Sequence, residues 1–327
     1  MPKDAPKSPT RQSQDTRPSP DGVGVPLRLG TRASPLALAQ SRHVAAALCA
    51  AHDWPSDAVA LHEIITKGDQ RLDMKLAEIG GKGLFTEELE AGLHDSSLDL
   101  AVHSLKDLPT TMPDGLALAA ILPRAPCGDV LIGQAPLTGL EDIAQGGQIG
   151  TASLRRQAQL LAARPDLTIV PLRGNIQTRL KKGQEDGLDA IILAAAGLAR
   201  MQLTPPHSVT LPPKLMLPAA GQGALAVQTR ADNEALHAAL APLHCAETAA
   251  CVTAERAFLQ ALDGSCRTPI AALAEIENGE LHLHGRLLDD AGTAMVEGTR
   301  QCAPTDGAAA GRDLAAALRA QAPQLVR

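Results

Sequence analysis

Aromatic side chains are almost absent from this chain of 327 residues, which has one Trp, two Phe and no Tyr. Its buried core must therefore be built from Leu, Val, Ile and Ala, and the aromatic platforms on which single-stranded nucleic acids stack are missing. The formal net charge of −6 also argues against a general nucleic-acid-binding protein. No apolar run is long enough to cross a bilayer. We therefore expect a globular protein of two or three domains that binds neither nucleic acid nor membranes.

Cysteine pairs of the C-x-x-C type are also missing, although the chain has six cysteines. His244-Cys245 followed by Cys251 does not have the spacing of a zinc site, so we expect no metal. No secretory signal is found, which predicts reduced thiols and a cytoplasmic location. Residues 1–25 are rich in Pro, Ser and charged residues and predict a disordered tail. A transit peptide is the alternative, which three aspartates and the lack of an apolar face disfavour.

Strand and helix patterns alternate along most of the remaining chain. They predict a first α/β domain over residues 26–122, completed by residues 223–241 after the chain crosses back, and a second over residues 127–217. A helix, three consecutive strands and a last helix predict a small α+β domain over residues 245–327. In the two larger domains, this alternation favours parallel sheets that are covered by helices on both faces.

Positive charge is concentrated where strands give way to helices. Arg32 lies at the end of a first strand, just before a helix with Ser34 as its predicted N-cap and Pro35 in its first turn. Residues 151–182 contain seven basic residues and one acidic residue, a net charge of +6 in an acidic chain. Helix N-termini and arginine forks both favour anions, so we expect a polyanionic ligand. Each arginine taken alone could also be a solvated side chain.

The segment Ala101–Pro109 has the pattern of a strand that ends in polar residues. Apolar residues alternate with polar or small ones up to Val102, and the pattern breaks at Ser104. Ser104, Lys106 and Asp107 therefore lie beyond the carboxyl end of a strand, which is where ligands bind in open α/β sheets. In isolation the Lys106-Asp107 pair is more typical of a solvated turn than of a binding site. Its assignment therefore depends on the other motifs of the chain.

Three loops contain further candidates. Gly80–Gly83 lacks the phosphate-loop pattern, and its glycines suggest a mobile lid. Pro218–Ala224 begins a Gly-x-Gly-x-x-Ala pattern, but a strand follows it where a dinucleotide site needs a helix, so that interpretation is discarded. Cys266 lies in a tight loop beside Arg267, conditions that favour an accessible thiolate. An inert small residue is the alternative there.

Seven stretches, in order along the chain, resemble the porphobilinogen deaminase (hydroxymethylbilane synthase) family. The resemblance runs from about residue 26 to the C-terminus, and its order makes it far more specific than any one motif. The stretches are Leu29–Leu38, Gly80–Phe85, Ala101–Pro109, Gly150–Gln157, Leu172–Leu180, Leu217–Ala224 and Gly264–Ile270.

The resemblance implies two similar doubly wound, periplasmic-binding-protein-like domains around a cleft, with a small α+β C-terminal domain. It implies a monomeric transferase of tetrapyrrole (haem) biosynthesis that links four porphobilinogen molecules head to tail, with loss of ammonia, into hydroxymethylbilane. The primer is a dipyrromethane cofactor that is bound covalently, through a thioether, to Cys266. Asp107 matches the catalytic carboxylate.

Positions that match the family's motifs imply the remaining site residues. Those implied to bind the cofactor are Ser104, Lys106, Thr151, Ser153, Arg155, Arg156, Arg173 and Gly174. Those implied to bind substrate are Arg32, Ser34, Gln40, Arg179, Arg200 and Gln222, with Lys82 and Phe85 in the lid. The chain departs from the family's pattern at Ala33, Glu78 and Ala152, and none of these positions touches the implied chemistry.

The chemistry agrees with these residue types. Porphobilinogen carries acetate and propionate arms, so a growing chain of units needs many arginine forks. Loss of the aminomethyl amine leaves a delocalised azafulvenium cation, which the carboxylate of Asp107 could stabilise; the protonated acid could assist the departing amine.

Two other hypotheses about function compete with the family assignment. A non-catalytic, hinge-closing anion-binding protein would also use two α/β domains, but it has no use for a cysteine loop that faces the cleft. A redox-regulated protein acting through Cys266 lacks a nearby resolving cysteine.

Overall fold

The structure is a computed structural model that describes residues 26–70, 86–262 and 268–326. The predicted tail, the lid residues Lys82 and Phe85, and Cys266 therefore lie outside the described residues. In the described part of the chain, no helix is long and apolar enough to span a bilayer.

Strands and helices alternate through the first two thirds of the chain. The first set is β1 (Leu27–Arg32), α1 (Pro35–Ala51), β2 (Val59–Ile64), α2 (Lys67–Gln70), α3 (Glu87–His94), β3 (Leu100–Ser104) and β4 (Leu116–Ile121). The second set is β5 (Asp129–Gly133), β6 (Gln148–Gly150), α4 (Leu154–Ala163), β7 (Thr168–Val170), α5 (Ile176–Glu185), β8 (Ala190–Ala194), α6 (Ala195–Arg200) and β9 (Ser208–Thr210). The rest is β10 (Leu225–Arg230), α7 (Glu234–Leu240), α8 (Ala246–Ala261), β11 (Ile270–Glu277), β12 (Glu280–Leu288), β13 (Met295–Cys302) and α9 (Gly307–Gln321).

Local sequence explains where several of these elements begin. Ser34 is the N-cap of α1, with its hydroxyl accepting from the amide of Ala37 at 3.3 Å, and Pro35 follows at the first helical position, as predicted. Ser153 and Asn175 cap α4 and α5 in the same way. The apolar face of α1 packs against the first sheet, where Val44 and Leu48 are fully buried.

The two larger sheets have the same strand order. The first runs β2-β1-β3-β10-β4 and the second β7-β6-β8-β5-β9. In each sheet four of the five strands run in the same direction, and the fourth in spatial order is antiparallel to both of its neighbours. The α/β fold class is confirmed, but the expectation of purely parallel sheets was wrong. The antiparallel strand, β10 or β5, is the one that the chain forms directly after crossing from the other sheet, so it enters from the edge at which the parallel strands end.

Two crossing segments connect the sheets, and they lie side by side. The amide of Leu122 donates to the carbonyl of Leu225, and the amide of Ala125 donates to the carbonyl of Gly223, both at 3.1 Å. Gly223 has φ +90°, and a Cβ there would overlap the carbonyl oxygen of Ala125. Glycine is therefore required for the two crossing segments to approach so closely.

The C-terminal unit is a small α+β layer structure, as expected. Its antiparallel sheet has the order β11-β12-β13, and α8 and α9 pack on one face. Phe258 of α8 and Leu314 of α9 are fully buried in this interface with Leu283 of β12. In β12, alternate residues point to opposite faces, so Leu283 enters the core while His282 and His284 face outward.

Strand β8 ends at Ala194, and the helix α6 follows without a break. The short edge strand β9 was not predicted, because three residues after a pair of prolines give no periodicity to detect.

Candidate functional site

A cavity of about 80 Å³ lies between the two five-stranded sheets. It is lined by residues that follow the carboxyl ends of β3 and β8, by α1 and α5, and by the second crossing segment. Predicted site residues in its lining are Gln40, Ser104, Lys106, Arg156, Arg179, Arg200 and Gln222. Those outside its lining are Arg32, Ser34, Asp107, Thr151, Ser153, Arg155, Arg173 and Gly174.

Asp107 lies in a tight turn at the end of β3, not in an irregular loop. Residues Leu105–Asp107 form one turn of 3₁₀ helix, closed by the amide of Leu108 donating to the carbonyl of Leu105 at 3.1 Å. Leu105 and Leu108 are buried beneath this turn, whereas Lys106 and Asp107 are exposed above it. The alternation of apolar and charged residues thus anchors the turn and presents both charges to the cleft.

Lys106 contacts the crossing segment opposite it. Its ammonium donates to Oε1 of Gln222 at 3.3 Å. Solvent reaches Lys106 through the cleft, yet surrounding protein displaces enough water that desolvation lowers the pKa of Lys106 to about 8. The carboxylate of Asp107 opposes this shift and Arg156 adds to it, so both charges act on the same ammonium.

Arg155 and Arg156, in the first turn of α4, share one buried carboxylate. Oδ1 of Asp129 lies 2.6 Å from Nη2 of Arg156, and Oδ2 lies 2.8 Å from Nη2 of Arg155. Gln222 donates to the same Oδ1 at 3.1 Å. Burial would raise the pKa of Asp129, but the two arginines outweigh it and hold that pKa well below its usual range.

Asp129 is not among the site residues that were predicted from the sequence. Its only signal is an acidic residue at the start of the apolar strand β5, a position where burial demands a partner. One further donor of each arginine goes to the backbone: Nη1 of Arg155 to the carbonyl of Leu217, and Nη1 of Arg156 to that of Ile192. The two arginines are therefore fixed from several directions, and Arg156 alone of the pair reaches the cavity.

Three further arginines surround the second-sheet side of the cleft. Nε of Arg179 donates to the carbonyl of Gly174 at 2.8 Å, and Nη2 of Arg200 donates to that of Gly223 at 2.6 Å. Desolvation lowers the pKa of both arginines to about 10. Nη1 of Arg173 is buried and has no hydrogen-bond partner among the described residues. A buried donor without a partner is available to bind an anionic ligand.

The smaller polar residues are partly committed to local structure. Gln40 of α1 donates to the hydroxyl of Ser104 at 2.9 Å across the first sheet's edge. Thr151 Oγ1 accepts from the amide of Ser153 at 3.2 Å, while Ser153 and Ser34 act as helix N-caps. Arg32 is half-buried at the end of β1.

The site as a whole is strongly cationic. Four basic side chains line the cavity, and no carboxylate does within the described residues. Asp107 acts on Lys106 and Arg179 from just outside that lining. Together with the unpartnered donor of Arg173, this donor set fits a ligand that carries several carboxylates.

Two protein-family models match this chain. Residues 27–238 match the family model described as "Porphobilinogen deaminase, dipyromethane cofactor binding domain", and residues 249–320 match "Porphobilinogen deaminase, C-terminal domain". The chain belongs to the porphobilinogen deaminase family.

Curated relatives cover almost the whole chain. The porphobilinogen deaminase of Paracoccus denitrificans is 46% identical over 298 residues, which is 91% of this chain and 95% of the relative. That of Moorella thermoacetica is 46% identical over 297 residues, 91% of this chain and 94% of the relative. Among solved structures, a Brucella ovis periplasmic binding protein with glutathione bound has a TM-score of 0.39 at 16% identity, covering 73% of this chain and 69% of that one.

The predicted site residues fall into two groups, one in each of the two family-model matches. The cavity, Asp107 and the arginines all lie within the match to the cofactor-binding domain. The match to the C-terminal domain begins in α8 and includes position 266, which lies outside the described residues. The helix that leads into that position is described, and its contacts reach the Asp107 turn.

Proposed function

We propose that this member of the porphobilinogen deaminase family is a hydroxymethylbilane synthase, which joins four porphobilinogen molecules head to tail with release of ammonia. The observation that supports it most is a cleft with four basic side chains beside an acidic turn, in a chain that matches the family over nearly its whole length. The dipyrromethane group, attached through a thioether to Cys266, supplies the pyrrole carbon on which the first addition takes place.

Carboxylate arms are bound by the cationic residues of the cleft. Arg173, with its unpartnered donor, and Lys106 hold acetate or propionate groups of the cofactor. Arg156 lines the same cavity, and Arg155 steadies it through Asp129. Ser104, Thr151, Ser153 and Gly174 complete the proposed cofactor-binding set.

Incoming substrate is bound at the rim formed by α1, α5 and α6. Arg179 and Arg200 pair with its carboxylates, and Gln40 and Gln222 donate to its polar groups. Arg32 and Ser34 lie at the start of α1, where the helix N-terminus favours an anion. Lys82 and Phe85 are proposed to cover the bound substrate.

Asp107 is the proposed acid and electrostatic stabiliser. In its protonated form it gives a proton to the substrate's amine as the carbon–nitrogen bond breaks, so that neutral ammonia leaves. Its carboxylate then stabilises the cation that remains on the substrate's pyrrole ring. When the new carbon–carbon bond forms, the carboxylate takes up the proton that the attacked ring carbon releases, which restores the acid for the next cycle.

We also propose a domain organisation, a cellular location and an oligomeric state. Residues 26–122 with 223–241, residues 127–217 and residues 245–327 form three domains, of which the third carries the cofactor cysteine. We propose a cytoplasmic monomer that acts on a small molecule and binds no nucleic acid.

Asp107→Asn tests the role of Asp107, with Asp114→Asn as a control for the same change on an exposed loop of the same sheet. Asp107→Asn should slow porphobilinogen consumption by roughly 10²- to 10⁴-fold, because an amide gives no proton to the amine. Substrate should still bind, and Asp114→Asn should act like the wild type. Binding of porphobilinogen without consumption by the wild type would contradict the enzyme and favour an anion-binding protein.

A further inference from the structure

Helix α8 connects three parts of the proposed machinery. The residues at positions 249, 252, 256 and 260 follow one another at helical spacing and share one face. Val252 belongs to the same apolar cluster as Leu105 and Leu108, the buried anchors of the Asp107 turn, and Ala249 packs against that cluster. The helix ends at Ala261, five residues before Cys266 in the sequence.

The next residue on this face is an arginine that binds the backbone just after Asp107. Nη2 of Arg256 donates to the carbonyl of Pro109 at 2.6 Å, and Nη1 donates to the carbonyl of Leu108 at 3.3 Å. One guanidinium thus holds the two consecutive carbonyls where the chain leaves the 3₁₀ turn. Its planar fork fixes both at once, which a single ammonium does not do.

This use of an arginine is costly, which points to a specific purpose. Arg256 is half-buried, and desolvation lowers its pKa to about 10. None of the described carboxylates forms an ion pair with it, so backbone carbonyls are its partners. A hydrophobic side chain would join α8 to the first sheet at lower cost if adhesion were the only requirement.

We propose that Arg256 is a positioning residue for the reaction: it fixes the Asp107 turn relative to α8, the helix that precedes Cys266 in the sequence. The inference rests on the proposed roles of Asp107 and Cys266. It adds that the position of the catalytic carboxylate relative to α8 is set by one guanidinium on that helix, ten residues before the cysteine in the sequence. Small errors in such a distance reduce rates strongly.

The experiment compares Arg256→Met and Arg256→Lys with Gln260→Ala in holoenzyme. Gln260 is on the same face and donates to Thr111 at 3.1 Å, beyond the Asp107 turn, so its loss is the matched control. We expect Arg256→Met to keep its cofactor by intact mass and its KM, while kcat falls roughly 10- to 100-fold. Arg256→Lys, which supplies one donor, should recover part of this loss, and Gln260→Ala should stay within about twofold of the wild type.

A double-mutant cycle distinguishes positioning from general support. Because Arg256 is proposed to act through Asp107, adding Arg256→Met to Asp107→Asn should change single-turnover rates by less than about threefold. The inference would be overturned if Arg256→Met lowered the rate of Asp107→Asn as much as it lowers that of the wild type. It would also be overturned if kcat were unchanged in both Arg256→Met and Arg256→Lys. Failure of the proposed function would give a different result, because the wild type itself would then lack the cofactor adduct or would not consume porphobilinogen. If Arg256→Met does not fold, the same cycle with Arg256→Lys decides.

Discussion

Asp129 and Arg156 form a buried ion pair beneath the cleft, with Oδ1 of the carboxylate 2.6 Å from Nη2 of the guanidinium. Both side chains are almost completely buried, and Asp129 pairs with Arg155 as well. One negative charge therefore opposes two positive charges in a region that excludes water. The arrangement leaves a net positive charge for an anionic ligand while fixing the direction of both forks.

Removing this carboxylate should weaken both the fold and the site. Asp129→Asn leaves two buried arginines without a counter-charge, and we expect a loss of about 3–5 kcal/mol in the free energy of unfolding. Equilibrium urea unfolding measures this loss. Asp232→Asn, which removes the partner of Arg230 from an exposed pair, should cost less than about 1 kcal/mol.

The free energy of unfolding measured at acidic pH gives a second test of the role of Asp129. Its folded-state pKa lies below the unfolded value, so the stability that it contributes is present above about pH 3.9 and is lost as the pH falls towards the folded value. The wild type should therefore lose stability in this window more steeply than Asp129→Asn. Equal slopes would show that the carboxylate is not held in its charged form.

Lys106 makes ligand binding depend on pH. Its pKa is lowered to about 8, so its ammonium loses its charge as the pH rises through that value. If Lys106 binds a carboxylate arm of the cofactor, the rate at which cofactor-free protein acquires its cofactor from porphobilinogen should fall by roughly tenfold between about pH 7 and pH 9. Intact-mass spectrometry of the protein during reconstitution at each pH measures this rate. Lys106→Arg keeps its charge throughout this range and should abolish the dependence; the same dependence in that variant would assign it to another group.

Arg124 and Glu255 should control how the crossing segments are held to the C-terminal unit. The guanidinium binds both oxygens of the fully buried Glu255, at 2.6 and 3.1 Å, and that carboxylate also accepts from the amides of Gly221 and Ala274. Arg124→Met leaves this charge unpaired and should cost about 3–5 kcal/mol.

Hydrogen exchange localises the effect of Arg124→Met. The amides of Gly221 and Ala274 should exchange faster in the variant, because their acceptor is released. Lys181→Met, which breaks the exposed pair with Glu185, should leave exchange at both amides unchanged. Unchanged exchange in Arg124→Met would contradict the proposed role of the pair.

Local signals made much of the fold predictable. Ser34 with Pro35 marks the start of α1, and the break after Val102 marks the end of β3, because caps and apolar periodicity act over a few residues. The antiparallel direction of β5 and β10 was not predictable from this periodicity. It depends on which edge the chain enters after crossing, and that is a property of the topology.

The candidate site was predictable as a set of residue types, but its internal pairing was not. The arginines of residues 151–182 and the Asp107 turn were identified, since clustered charge after strands is visible in the sequence. The pairing of Asp129 with Arg155 and Arg156 joins residues about 27 positions apart, and that of Arg256 with Leu108 spans 148. Such contacts arise from packing between elements that are distant in sequence, which periodicity does not encode.

Cys266 is proposed to carry a two-pyrrole group, and intact-mass spectrometry is the measurement that detects this group. Wild-type protein expressed with porphobilinogen available should be heavier than its sequence by that adduct, and Cys266→Ser should have the mass of its sequence alone. Cys302→Ser, a change at another cysteine, should keep the adduct. A wild-type mass equal to that of the sequence, or an adduct that persists in Cys266→Ser, would contradict the account.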